Sequence, residues 1–580
     1  MEGRTKGLGW WRARGVGRGR LPALKGVPIE VPLAVPELSR ERGWGWSRWG
    51  WLAWVVPALV LLLIVLPLVH YELPNYKSTL TEEYQPFKTL KFLTSRGQGF
   101  HKWGPVDNFL LMPGYLLTFG WWKVTGQFSH GSSEFPYGLS DPLRQISFLI
   151  LQSRIILLSL GLAAVAFYTR ALGGLAKSAA AAPLAVLLVV ATNPVLDFGL
   201  VALKPDAPMI LFSALALAVY VRMVTREITT RRAVLFGVLA AVAIAAKESA
   251  IPLLGLPLVY VALRPRVGAE RSWRVAAALA VSFVVTYGLV AVVYAPATWW
   301  ARMTFWFAGP GISTEVWGAS NATWWSLAWD KLRALADNLG PAGTPVAVGA
   351  VGYVLLARRG QWVALCLPLA GFAAALVKIG YAPDYFALPV SLAVAPLATV
   401  GIDRLLAARV GVAWRYGVMG VAIAVNFYYA QIAWLLPYQS EEVLVERDLA
   451  RLPEGSTFTL CEIFRPSQQT RFQALHYAED LRTLPDLVAD GATKLPAYVY
   501  ESDERAAWLA DFSRRPERAK MILEEAGFDY HTFPGLQAWG YREERVLTPR
   551  LPGWYPFTFM PIATYDSPVR VYLRVAAAGG

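Results

Sequence analysis

Along its 580 residues the chain alternates between apolar stretches of membrane length and short polar connections. Eleven apolar runs stand out, at 51–70, 145–168, 179–201, 206–222, 233–247, 250–263, 275–295, 342–357, 361–378, 385–402 and 414–437. Crossing a hydrocarbon layer takes about 20 helical residues, and backbone groups in lipid must be satisfied within their own segment, so each run predicts a spanning helix. The fifth and sixth are short enough to form one re-entrant pair. From 438 the character changes: Glu441, Glu442, Glu446, Arg447 and Asp448 lead to a short strand-like run at 457–461. A helical pattern then runs from Asp503 to Ala526, with Ser502 or Asp503 as N-cap and Gly527 as the stop, and Val569 to Val575 alternates as a strand. The expected fold is an all-α polytopic membrane domain at 50–437, preceded by a basic segment at 1–49 and followed by a small α/β domain at 438–580.

Composition agrees with the pattern. The chain is 55% hydrophobic and only 17% charged, with a mean hydropathy of +0.38, which argues against a soluble multidomain enzyme. The formal charge of +14 is concentrated in the first 50 residues and in short loops. That distribution fits membrane topology rather than nucleic-acid binding. The arginine-rich start (Arg12, Arg14, Arg18, Arg20) belongs in the cytoplasm and lacks the small-residue cleavage site of a removable signal, so the first run reads as an anchor. Alternation then places Arg170/Lys177, Arg226/Arg231/Arg232, Arg264/Arg266/Arg271, Arg358/Arg359 and Arg404/Arg409 inside. Outside fall a first loop at 71–144, a tryptophan-rich loop at 296–341 and the C-terminal domain. The expected location is the plasma membrane, multi-pass, with the N-terminus cytoplasmic and the C-terminal domain extracytoplasmic.

The first outer loop carries Thr81-Glu82-Glu83-Tyr84 and, further on, His101-Lys102-Trp103-Gly104-Pro105. Adjacent carboxylates disfavour double ionisation, so one proton affinity rises and the pair can hold a general base; the plain alternative is a solvated charge cluster. Lys204-Pro205-Asp206 sets two opposite charges at an outer helix junction, either as a functional pair or as an interfacial salt bridge worth about 0–1 kcal/mol. Lys247-Glu248 lies between the fifth and sixth runs, where the alternative is a lysine snorkelling to the interface. The loop at 296–341 interleaves Trp299, Trp300, Trp306, Trp317, Trp324, Trp325 and Trp329 with Arg302, Lys331 and Arg333. Such a run serves as an interfacial belt or as an aromatic platform for an amphiphilic substrate. Asn321-Ala322-Thr323 fits the glycosylation triplet. Cys366 and Cys461 suggest neither a disulfide framework nor a thiolate site, and the five histidines do not cluster at ligand spacing. No phosphate-cradling glycine loop or nucleophile elbow stands out.

In this order of features the chain resembles the GT-C class of integral membrane glycosyltransferases, in the branch of protein O-mannosyltransferases and the lipid A aminoarabinose transferase. The resemblance covers about 50–440 and rests on Glu82-Glu83 in the first outer loop, His101-Lys102 before Pro105, Asn193-Pro194 followed by Lys204-Pro205-Asp206-Ala207-Pro208, Ala246-Lys247-Glu248-Ser249-Ala250, and the segment Tyr381 to Pro389. The chain departs from the family in having glutamate where aspartate is more usual at position 82, and Asp384 where an arginine is usual. The resemblance implies transfer of one sugar from a polyprenyl-phosphate carrier to a protein, lipid or glycan acceptor at the outer face, with inversion. Glu82 would act as base and Glu83 would orient it. Lys102, His101, Lys247, Lys204 and Arg302 would bind the donor phosphate, and Asp206, Trp299, Trp300 and Tyr84 the substrates. No cofactor is required, although two adjacent carboxylates are compatible with a divalent cation. The competing class is a transporter or flippase, which inverted repeats would favour and a soluble C-terminal domain would not. A third, a membrane scaffold binding partners through its tail, gives no reason for the acidic pair.

Overall fold

The structure, a computed structural model, describes residues 52–69, 89, 105–128, 138–192, 206–264, 269–307, 324–357, 360–378, 389–408, 411–430, 448, 451, 458–460, 497–502, 540–548 and 569–574. These residues are mostly helical. The helices are α1 (Leu52–Val69), α2 (Val106–Val124), α3 (Pro142–Leu172), α4 (Ala181–Val186, running on as a π turn over Leu187–Ala191), α5 (Asp206–Thr225), α6 (Thr230–Ala246) and α7 (Ala250–Leu263). They continue as α8 (Ala269–Tyr287, with a π turn over Gly288–Val292), α9 (Pro296–Phe307), α10 (Trp324–Ala357), α11 (Gly360–Lys378), α12 (Val390–Ala407) and α13 (Val412–Ala430). Among the described residues, five helical segments are long and apolar enough to cross a membrane: 144–175, 206–225, 273–292, 338–357 and 390–407. Shorter apolar helices lie at 53–66, 181–191, 250–263 and 362–375.

Where the expected runs fall on described residues they are mostly helical, with two corrections. The stretch 71–144 is not loop throughout, because α2 lies within it and is fastened along α3 by side chains. Tyr115 and Ser153 hydroxyls are 2.6 Å apart, Thr118 donates to Gln152 Oε1, and Gln152 Nε2 donates to the carbonyl of Gly114. The stretch 296–341 likewise contains α9 and the first half of α10. The run expected at 342–357 is only the second half of that helix. Gly340 breaks it with φ 73°, a left-handed conformation that only glycine adopts freely, and Pro341 adds a residue without an N–H.

Proline inside lipid normally strands a carbonyl one turn upstream, and here buried tyrosines answer for two of them. Pro396 of α12 frees the carbonyl of Leu392, which accepts from the Tyr168 hydroxyl at 2.6 Å. Pro368 of α11 frees that of Ala364, which accepts from Tyr220 at 2.7 Å. Both tyrosines are fully buried, so each hydroxyl and each carbonyl would otherwise go unmatched. The kink at Gly340 is closed in a similar way by Asn426 of α13. Its Oδ1 accepts from the Ala342 N–H at 2.9 Å, and its Nδ2 donates to the carbonyls of Leu188 (2.6 Å) and Leu339 (3.3 Å). One amide thus ties α13, the bend of α10 and the π turn after α4.

The main apolar core runs through α1, α3, α4, α5, α6 and α12, with α7, α10 and α11 packed onto it. One of its crossings is backbone-close: a Cβ at Gly371 of α11 would collide with the carbonyl oxygen of Pro252 on α7. In the C-terminal segment, β1 (Phe458–Leu460), β2 (Tyr498–Ser502), β3 (Tyr541–Leu547) and β4 (Val569–Arg574) form a mixed sheet in the order β1-β2-β4-β3. β1 and β2 pair in parallel and the other two pairs are antiparallel, with a register shift between Glu543 and Arg545. The strands expected at 457–461 and 569–575 are therefore present, while the expected helix at 503–526 lies outside the described residues. Asp448 receives a two-pronged ion pair from Arg545, through Nε at 3.1 Å and Nη2 at 2.6 Å, linking the start of this segment to its sheet.

Candidate functional site

Helix ends build a charged cluster at one end of the bundle. Asp206 opens α5, and Lys247 is the C-cap of α6, where an extended backbone (φ −155°, ψ 131°) ends the helix. The Lys247 ammonium lies 2.8 Å from both carboxylate oxygens of Asp206. Each residue is only 1% exposed. The carboxylate stands at a helix N-terminus and the ammonium at a helix C-terminus, so each charge occupies the end that the peptide dipoles favour.

This geometry bears on two expectations. Lys247 does not snorkel to an interface, because a buried carboxylate compensates its desolvation in place. Asp206 is not left to Lys204 alone, since its two oxygens are engaged by a lysine 41 positions away; Lys204 itself lies outside the described residues.

The next residue extends the cluster. Glu248, in the turn at 247–249, has Oε1 2.8 Å from Nε of Arg302 on α9, and both side chains are buried. The pair is close but not aligned as a hydrogen bond. Both carboxylate oxygens of Glu248, Nε and Nη2 of Arg302, and Oγ of Ser249 have no hydrogen-bond partner among the described residues. Burial pushes the Glu248 carboxyl above the ordinary carboxylate range, and the Arg302 guanidinium opposes that push. Beyond the ion pair itself, Glu248 Oε2 and Arg302 Nη2 thus keep hydrogen-bonding capacity for a polar ligand. Tyr287 of α8 lies within electrostatic range of both residues, and its hydroxyl accepts from Trp299 Nε1 at 3.0 Å. Trp299 therefore forms part of the wall. Trp300, its neighbour, is 67% exposed.

The first turn of α2 contacts the segment that follows α8. Tyr294, which follows α8, packs its ring on Phe109 in the first turn of α2, with centroids 4.9 Å apart. Asp107 and Asn108 of that turn are buried, and Asn108 Oδ1 accepts from the hydroxyl of Thr89 at 2.7 Å. Thr89 lies six residues beyond Glu83, and Lys102 three residues before Pro105, the N-cap of α2. Glu82, Glu83, Tyr84, His101 and Lys102 themselves lie outside the described residues, as do the Asn321 triplet and Asp384. Among the described residues no group of three or more His, Cys, Asp or Glu side chains is placed to hold a metal ion.

Two buried charges, Asp107 and Arg154, escaped the sequence reading. Arg154, in the middle of α3, is fully buried and donates from Nη1 to the carbonyl of Val69, the last residue of α1, at 3.0 Å. Its signal was present in the sequence as a lone arginine inside the apolar run 145–168.

No family model matches the chain, and no curated protein matches it. Among solved structures it is similar to ArnT from Cupriavidus metallidurans bound to undecaprenyl phosphate, with 14% identity over 92% of this chain and 100% of that one and a TM-score of 0.44. It is also similar to the oligosaccharyltransferase of Archaeoglobus fulgidus in complex with Zn and sulfate, with 12% identity over 79% of this chain and 69% of that one and a TM-score of 0.43.

Proposed function

We propose that the protein is an integral membrane glycosyltransferase that moves one sugar from a polyprenyl-phosphate donor to a protein, lipid or glycan acceptor at the extracytoplasmic face. The observation that carries this reading is the buried Glu248–Arg302 pair, whose guanidinium keeps unmatched donors beside the helix ends that hold Asp206 and Lys247. Such donors, fixed where water is scarce, suit charge that builds on a departing phosphate. Glu82-Glu83 in the loop at 71–144 supply the proton acceptor under this reading.

In the proposed reaction the acceptor oxygen attacks the anomeric carbon while Glu82 takes its proton. The bond to the phosphate oxygen breaks, and prenyl phosphate leaves as the anion with its electron pair, giving inversion. Arg302, together with Lys102, His101 and Lys204 from the loops, stabilises that anion. Because the charge of Lys247 is met by Asp206, this pair acts by fixing the turn that presents Glu248. Glu83 orients the base, and Tyr84, Trp299 and Trp300 contact sugar or prenyl chain. A divalent cation beside the acidic pair is compatible with the mechanism and is not a required part of it. The reading takes all eleven runs as spans, with the N-terminus cytoplasmic and both the loop 71–144 and the domain 438–580 outside.

The test is to incubate purified protein with a panel of prenyl-phosphate sugars and to measure sugar-dependent release of prenyl phosphate. Transfer from a nucleotide sugar instead would sink the proposal.

A further inference from the structure

The opposite end of α5 gathers charge of one sign. A helix of 20 residues rises about 30 Å, so Arg222 and Arg226 lie a membrane thickness away from Asp206. Arg222 is within electrostatic range of Arg170 on α3, Arg226 just beyond α5 and Arg232 on α6. Arg222 and Arg226 are held one turn apart by the 3.0 Å bond from the Arg226 N–H to the Arg222 carbonyl. Arg222 and Arg232 are half-buried, whereas Arg170 and Arg226 are exposed.

None of the four makes an ion pair with a described carboxylate. The neighbouring acid, Glu227, gives its backbone carbonyl to Arg232, and Asp403 accepts the backbone N–H groups of Lys177 and Ser178. Arg170 on α3, Arg226 just beyond α5 and Arg232 on α6 thus all act on the half-buried Arg222, and none of the four is ion-paired to a carboxylate among the described residues. Like charges so arranged repel unless an anion lies among them.

We propose that Arg170, Arg222, Arg226 and Arg232 form a site for the phosphate headgroup of an anionic phospholipid. The surroundings favour a lipid over a free phosphate ion. Arg170 lies over the ring of Trp54 near the start of α1, 4.6 Å from its centroid, which sets an aromatic ring at headgroup level. One turn deeper along each helix, exposed apolar side chains follow: Phe167 before Arg170 on α3, and Leu235 after Arg232 on α6. On α1, Val56, Leu59 and Leu63 continue the exposed apolar surface away from Trp54. Acyl chains attached to a phosphate held by the arginines would lie along that surface, whereas a free ion would make no use of it. The site is separate from the cluster at Glu248 and Arg302 and does not depend on the proposed reaction.

Native mass spectrometry of the full-length protein, exchanged from detergent into equimolar phosphatidylglycerol and phosphatidylcholine, tests the idea. Wild-type protein should retain phosphatidylglycerol over phosphatidylcholine by on the order of tenfold. The variant Arg222→Gln/Arg226→Gln/Arg232→Gln should bring the ratio to near parity, and Arg226→Lys should keep most of it. A second arm measures thermal unfolding with phosphatidylglycerol or with inorganic phosphate, and the lipid alone should raise the midpoint. Equal retention of the two lipids by the wild type overturns the proposal even if the triple variant fails to fold. An unchanged preference in a folded triple variant overturns it as well, and so does an equal midpoint shift with inorganic phosphate.

Discussion

Removing the carboxylate of Asp206 should damage the fold far more than removing the whole Asp206–Lys247 pair. At the observed 2.8 Å and an effective dielectric of about 20, the two unit charges attract by roughly 6 kcal/mol. Taking them out of water costs several kcal/mol per ion, so the intact pair sits near break-even against an apolar replacement. Losing one partner is different, because the remaining charge keeps its desolvation cost without the countercharge at 2.8 Å that offsets most of it. Asp206→Leu or Lys247→Met alone should therefore cost about 3–5 kcal/mol, between two and four powers of ten in the folded population. The combined Asp206→Leu/Lys247→Met variant should return close to wild-type stability. Reversible unfolding of all four proteins in mixed micelles gives the coupling energy of the cycle, and turnover is measured on those that fold. The combined variant should fold yet transfer sugar slowly, since the turn that presents Glu248 loses its tether. If the two single variants are as stable as wild type, or if their effects simply add in the combined variant, the charges do not depend on each other and the reasoning fails.

Glu82→Gln should preserve donor binding while lowering single-turnover transfer by about 10²–10⁴-fold, with a smaller loss for Glu83→Gln; near wild-type rates in both would leave the acidic pair as a solvated loop feature. Arg302→Ala should slow release of prenyl phosphate and also free Glu248, whereas Arg302→Lys should recover only part of the rate, because a compact ammonium cannot reproduce the planar fork. Tyr168→Phe should destabilise the protein by about 1–3 kcal/mol by orphaning the Leu392 carbonyl, and adding Pro396→Ala should recover much of that loss; a null effect of Tyr168→Phe in unfolding measurements would mean that water or another donor reaches the carbonyl. Accessibility tags near Gly97 and Gly311 and after Gly580 should label from outside, and tags near Arg231 and Arg266 only after permeabilisation; a C-terminus on the cytoplasmic side would show that one of the eleven runs does not span.

The helices were legible wherever apolar residues were continuous and bounded by charge. The run 250–263 coincides with α7 because Lys247-Glu248 and Arg264 bracket it. Reading failed where a helix is amphipathic: Asp330, Lys331, Arg333 and Asp337 keep the first half of α10 from looking like a span, although it is helical from Trp324. It failed also for α2, where an apolar helix was absorbed into a stretch judged by its polar flanks. At the site, the types of residue were visible but not their partners. Nothing local to Lys247 or Glu248 indicates Asp206 41 residues upstream or Arg302 on a later helix, because such pairs are made by helix packing rather than by spacing along the chain. Arg154 was overlooked for the opposite reason, as a single charge that barely dents the mean of its run.

The clamp at Asn426 bears on the order in which the ribosome delivers the helices. The bend at Gly340 leaves the N–H of Ala342 and the carbonyl of Leu339 to be met by a side chain more than 80 positions further along, and the π turn after α4 waits for that same amide through Leu188. Until α13 emerges, the nascent bundle holds two helices with open backbone groups, which water or the insertion machinery must cover in the meantime. Closure of the membrane domain is thus a late event in synthesis, and chains cut short before residue 426 should remain bound to chaperones or be degraded rather than persist as a smaller bundle.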